Sequence, residues 1–196
     1  MSPVPTLRTF LLLAVLFITA TAHAGDAGAL KAGVFDPPRM APNFTLPGSN
    51  GSELKLSAYR GKVVLLGFGF TSCAAVCPTT LATLKQVNKK LGTQARNLQV
   101  VYITVDPKHD DARRMKEYLA LFDTSFIGGT GTAAQLAAVR KNYGVMAKEV
   151  AGPDGRFTHS SSIYLIDRQG RLRALMPYGR TADDYVHDVR ILLASP

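Results

Sequence analysis

The sequence predicts an α/β fold, with a central mixed sheet flanked by helices and a small β-hairpin ahead of it. Three observations carry that expectation. The runs Lys62 to Phe70 and Leu98 to Val105 are apolar without alternation, as in strands buried on both faces. Each is followed by a segment whose apolar residues recur at helical spacing. A strand–turn–strand pattern from Ser162 to Leu175 then precedes one last helix-like segment.

In chain order, Asn43 to Leu46, the turn residues 47–51 and Leu54 to Leu56 read as the hairpin. Gly61 opens the first core strand, and Pro78 suits the first turn of the helix after it. Leu81, Leu84, Val87 and Leu91 give that helix its apolar face. After the second strand, Asp110 or Asp111 can cap a helix bearing Met115, Tyr118, Leu119 and Phe122. A short extended piece around Phe126 and Ile127 leads to a helix from Thr132 to about Tyr143. Val145 to Val150 starts a further strand, residues 152–155 form a turn, and Asp167 to Gly170 turn the next hairpin. The final helix runs from Ala182 to about Ala194. Strand–helix–strand–helix followed by a hairpin and a helix is a thioredoxin-like order.

The N-terminus runs from Arg8 through an apolar stretch, Phe10 to Ala20, to Ala22-His23-Ala24. That is the order of a secretory signal peptide over residues 1–24. The stretch is shorter than the about 20 residues that span a bilayer, which disfavours the alternative of a membrane anchor, and no cysteine follows it to carry a lipid. The expected organisation is therefore a signal peptide, a mobile leader over 25–40 and one domain over 41–196, exported to the periplasm. Net charge is +9 for the chain. The basic residues are scattered rather than gathered into one stripe, which with export argues against nucleic acid. The excess suits acidic partners, anionic lipid or simple solubility.

Cys73 and Cys77 are the only cysteines, four positions apart, at the carboxyl end of the first core strand. Open α/β sheets place their sites there, and a helix N-terminus stabilises a thiolate. Two soft sulfurs one helical turn apart can form a redox disulfide or hold a soft metal. Copper would need a further donor. His187 reads as solvated or capping, and His109 as an exposed loop residue. His159 precedes Ser160-Ser161-Ser162 and a strand, where a thioredoxin-like fold carries a loop over its cysteines. Asp106 is either a supporting group near the site or a turn residue with Pro107.

Gly67 to Cys73 and Cys77 to Leu81 resemble the cysteine segment of the Sco/SenC copper proteins. Val105-Asp106-Pro107 with Asp110 is similar to that family's Asp-Pro loop. Phe126 to Thr132, Tyr143 to Val145 and His159-Ser160 leading into Tyr164 to Asp167 continue the match, which covers about residues 41–195. The resemblance implies a thioredoxin-like fold and one copper held by Cys73, Cys77 and His159. It also implies delivery to the dinuclear copper centre of cytochrome c oxidase subunit II by a monomer, served by a copper donor protein and a thiol reductant protein. Ala74-Ala75 stand where the family frequently has Pro-Asp, which removes a carboxylate near the site.

Three other readings compete. An exported thiol-disulfide reductase would use Cys73 and Cys77 as its catalytic pair, keeping the oxidase's copper-ligand cysteines reduced, but the spacing is CxxxC rather than CxxC and serines occupy 160–162. A peroxidase would need a threonine where Ala74 stands. A structural disulfide across so short a loop would restrict the unfolded chain little. A non-enzymatic copper metallochaperone is the expectation, with the reductase as its alternative.

Overall fold

The structure is a computed structural model that describes Met1, residues 28–150 and residues 157–195. The expected signal peptide, apart from Met1, and the turn at 152–155 lie outside the described residues. The described residues form ten strands and four α-helices: β1 (Gly33–Met40), β2 (Thr45–Pro47), β3 (Glu53–Lys55), β4 (Val63–Gly69), α1 (Val76–Leu91), β5 (Leu98–Thr104), α2 (Ala112–Ala120), β6 (Ile127–Gly129), α3 (Ala133–Tyr143), β7 (Ala147–Glu149), β8 (Phe157–His159), β9 (Ile163–Ile166), β10 (Arg171–Met176) and α4 (Ala182–Ala194). Six of the strands form one mixed sheet in the order β1-β10-β9-β4-β5-β6. β4, β5 and β6 run parallel, while β9, β10 and β1 add antiparallel pairings.

Every residue of β4 and β5 is buried, as their unbroken apolar runs require. α1 turns Leu81, Leu84, Val87 and Leu91 into the core and packs beside α4, while α2 packs on β6. The β2–β3 hairpin is a separate two-stranded ribbon. Thr132 and Thr181 close capping boxes on α3 and α4. Asp111, not Asp110, caps α2 by accepting from the Arg114 amide. Asp110 is wholly buried and serves elsewhere. Among the described residues, no helix is long and apolar enough to cross a membrane.

The mobile leader expected over 25–40 is corrected from Gly33 onward. Residues 33–40 are β1, an edge strand on β10 whose register shifts between Val34 and Arg39. Pro37 and Pro38 fit there because an edge strand leaves one row of backbone groups unpaired. The segment before it is also held. The amides of Lys31 and Ala32 donate to the buried Asp188 carboxylate at 2.8 and 2.9 Å. Lys31 also pairs with Asp184 at 2.9 Å. His187 stands 2.9 Å from the same Asp188, which makes it part of this tether.

Candidate metal centre

β4 ends in the core and delivers the chain into an exposed turn, in which the Cys73 amide donates to the Phe70 carbonyl at 3.4 Å. Ser72, Ala74 and Ala75 are exposed, Cys73 is partly so, and Cys77 is fully buried in the first turn of α1. Both cysteines are free thiols. Ala75 occupies the N-cap of α1 and has no side chain able to accept the helix's unpaired amides. The Cys73 sulfur takes that place, accepting from the Cys77 amide at 3.4 Å. A sulfur therefore does what Ser, Thr or Asp does at an ordinary helix start.

That arrangement separates the two thiols electrostatically. Partial burial alone would raise the Cys73 thiol. The Cys77 thiol and the amides of Cys77, Ala75 and Val76 outweigh it and hold the group below its ordinary value. Cys77 is pushed up to about 12, chiefly by burial. The hydroxyl of Tyr102 on β5 works against that rise. Tyr102 is itself buried in a slot made by absent side chains: a Cβ on Gly67 would lie 2.8 Å from its ring, and one on Gly69 would overlap its hydroxyl.

His159 arrives from the other end of the chain. β7 and β8 pair antiparallel with Ala147 opposite His159, and the Ser160 amide donates to the Met146 carbonyl at 3.0 Å. Phe157 and His159, two apart on β8, both set their rings edge-on to Phe70, at 5.7 and 5.8 Å between centroids. The His159 Nδ1 lies 2.9 Å from the Ser160 carbonyl oxygen. A carbonyl only accepts, so Nδ1 carries a proton, and in the neutral ring the lone pair is on Nε2. Nε2 is 3.5 Å from the Cys77 sulfur.

The three donors read from the sequence thus meet in a chain of contacts, Cys73 to Cys77 to His159. Among the described residues no three His, Cys, Asp or Glu side chains converge into a ready-made metal cage. A metal would draw these three onto one centre by replacing the N–H to S and S–H to N contacts. The Cys73 side chain is partly exposed and can rotate while the backbone of its turn stays in place. Two soft sulfurs and an imidazole whose far nitrogen is fixed by a carbonyl suit copper in this place. Asp106 takes no direct part: its carboxylate holds His109 at 2.8 Å, and its carbonyl accepts the Asp110 amide at 3.0 Å, so it shapes the turn. His109 is exposed, as expected. Tyr102 was not legible beforehand, because a tyrosine in an apolar strand carries no signal of what its hydroxyl meets.

The SCO1/SenC family model matches residues 34–194, a span that includes Cys73, Cys77 and His159. The chain belongs to the SCO1/SenC family. A Stutzerimonas stutzeri chain named for copper binding is 36% identical over 176 residues, which cover 86% of each protein. Among solved structures, Bradyrhizobium japonicum ScoI with copper bound is 35% identical with a TM-score of 0.73, covering 79% of this chain and 99% of that one. Yeast Sco1 with copper bound is 29% identical with a TM-score of 0.72, covering 81% and 91% respectively. The thioredoxin-like mixed sheet expected from the sequence is thus the fold this family shares.

Proposed function

We propose that this protein is a copper metallochaperone of cytochrome c oxidase assembly, holding one copper through Cys73, Cys77 and His159 and passing it to the dinuclear centre of subunit II. The observation that carries the proposal is His159 Nε2 at 3.5 Å from the Cys77 sulfur, with Nδ1 committed to the Ser160 carbonyl. A dithiol reductase needs only its two sulfurs, whereas copper needs a further donor beside them. The relatives solved with copper bound support the same metal.

Copper enters as cargo. Each thiol gives up its proton on binding, and the exposed Cys73 turn is the side from which acceptor ligands would replace the protein's own one at a time. A two-electron oxidant that joins Cys73 to Cys77 removes both thiolates, so copper and disulfide exclude one another. A thiol reductant protein would restore the pair and a copper donor would refill it. The compartment proposed is the periplasm, reached by removal of residues 1–24, with the mature protein a monomer.

The test mixes the copper-loaded protein with the reduced, metal-free copper domain of subunit II and follows the absorption of the dinuclear centre. Formation of that centre by wild type and not by His159→Ala is the expected result. If, with the oxidised acceptor domain, copper-free protein restores the acceptor's thiols and free copper ions then fill it equally well, the reductase alternative holds.

A further inference from the structure

We propose that Asp110 is a positioning residue for the cysteine pair, acting through Thr71 with Arg114 as its outer brace. Asp110 is fully buried, yet it lies neither in the family's cysteine segment nor against any of the three donors. Its carboxylate accepts three hydrogen bonds: from the Thr71 amide at 3.0 Å, from the Thr71 hydroxyl at 2.5 Å and from the Thr104 hydroxyl at 2.6 Å. Its own backbone is fixed, since the Thr130 hydroxyl donates to its carbonyl at 2.6 Å. One carboxylate therefore joins the ends of β4 and β5, and its main chain joins that of β6.

The consequence falls on the thiols. Phe70 to Cys73 is a β-turn closed by the Cys73 amide on the Phe70 carbonyl, and Thr71 is its first corner. Asp110 holds both the amide and the hydroxyl of that corner, which leaves the turn one setting. Cys73, at the last position of the turn, is thereby delivered to the Cys77 amide. From outside, Arg114 Nε donates to the Thr71 hydroxyl at 2.7 Å. Thr71 must then spend its own proton on Asp110, so each hydrogen bond in the series fixes the direction of the next. Asparagine at 110 would present an N–H to that hydroxyl and break the series, although its size is the same.

The strut holds the Cys73 sulfur on the Cys77 amide, a contact worth more to a thiolate than to a disulfide sulfur, so it favours the reduced pair over the disulfide. Its loss shifts the dithiol–disulfide equilibrium toward the disulfide. The inference deepens the copper proposal, but its main readout contains no metal. Full-length reduced protein is equilibrated with glutathione and glutathione disulfide; two thiols yield two electrons and two protons to one glutathione disulfide, which leaves as two glutathiones. Asp110→Asn and Thr71→Val are each expected to move the equilibrium about tenfold toward the disulfide, a midpoint about 30 mV more negative. Thr71→Ser, which keeps the hydroxyl, stays within about twofold of wild type. Copper affinity of the first two falls by about tenfold or more, as for other supports behind metal ligands.

Thermal melts accompany each variant. If Asp110→Asn does not fold, the Thr71→Val and Thr71→Ser pair decides. Wild-type midpoints in Thr71→Val, whatever its melting temperature, overturn the proposal, as does a Thr71→Ser shift equal to that of Thr71→Val. A wild-type protein that binds no copper overturns the metallochaperone proposal instead and leaves the midpoint series intact.

Discussion

The two thiols should differ sharply in reactivity, and the structure sets the size of the difference. Cys77 is fully buried and raised from 9.0 to about 12, which leaves about a thousandfold less thiolate at neutral pH than in an ordinary cysteine. A more basic thiolate is more nucleophilic, and a Brønsted coefficient of about 0.4–0.5 returns roughly 20-fold over that rise. The balance is alkylation about 50-fold slower than an unperturbed thiol, before burial excludes the reagent. Cys73 is partly exposed and shifted the other way by the Cys77 thiol and the amides at the start of α1. Its alkylation should follow an apparent pKa below the ordinary value. The assay is brief iodoacetamide treatment of reduced wild type over a pH series, with the modification at each cysteine counted separately by mass spectrometry. Comparable rates at both positions in folded protein, or a Cys73 profile at or above the ordinary thiol range, would refute the sulfur-capped helix start and the burial argument together.

Further outcomes follow from the packing. Gly69→Ala drives a methyl into the buried Tyr102 hydroxyl and should destabilise by about 1–3 kcal/mol, with part of the loss recovered in the double variant with Tyr102→Phe; urea unfolding measures both. Leu84→Ala empties a fully buried position of α1 and should cost about 2–5 kcal/mol, read the same way. Asp188→Ala removes the acceptor of the Lys31 and Ala32 amides, so limited proteolysis should cut near these residues in the variant before it does in wild type. Asp184 is held down to about 2, first by Lys31 and then by Thr181. A lowered carboxyl contributes stability above its unfolded value that is lost as pH falls through the folded one. The melting-temperature gap between wild type and Asp184→Asn should therefore shrink from the ordinary 3.8 down to about 2.

The extent to which the sequence announced this protein depends on how local each signal is. β4 and β5 are legible because strands buried on both faces need unbroken apolar runs. The three proposed donors are legible because the chain has only two cysteines and His159 is the histidine that precedes a core strand. β1 is not, since Asp36-Pro37-Pro38 reads as irregular chain and only its edge position makes it a strand. The cap of α1 is hidden for a different reason: Ala74-Ala75 offers no capping side chain, and the accepting atom is a sulfur that the sequence marks for other chemistry. Asp110 and Asp111 are indistinguishable on paper as caps. The fold separates them, placing one carboxylate at the helix start and burying the other beneath Thr71 and Thr104. Tyr102 likewise depends on β4 and β5 lying in register, with Gly67 opposite Tyr102 and Gly69 opposite Thr104.

The central claim is that His159 completes a copper site with the reduced cysteine pair. Cu(I) and Cu(II) affinities of reduced wild type, oxidised wild type and reduced His159→Ala, measured side by side by competition with chromophoric chelators, test it most directly. The account predicts tight binding of one copper by reduced wild type and none by the disulfide form. For His159→Ala it predicts a loss of at least about 10- to 100-fold, the range that even supporting residues around metal ligands command, and a larger loss for Cu(II), which favours imidazole, than for Cu(I). Wild-type affinity for both copper states in His159→Ala, or equal binding before and after oxidation of Cys73 and Cys77, would contradict it.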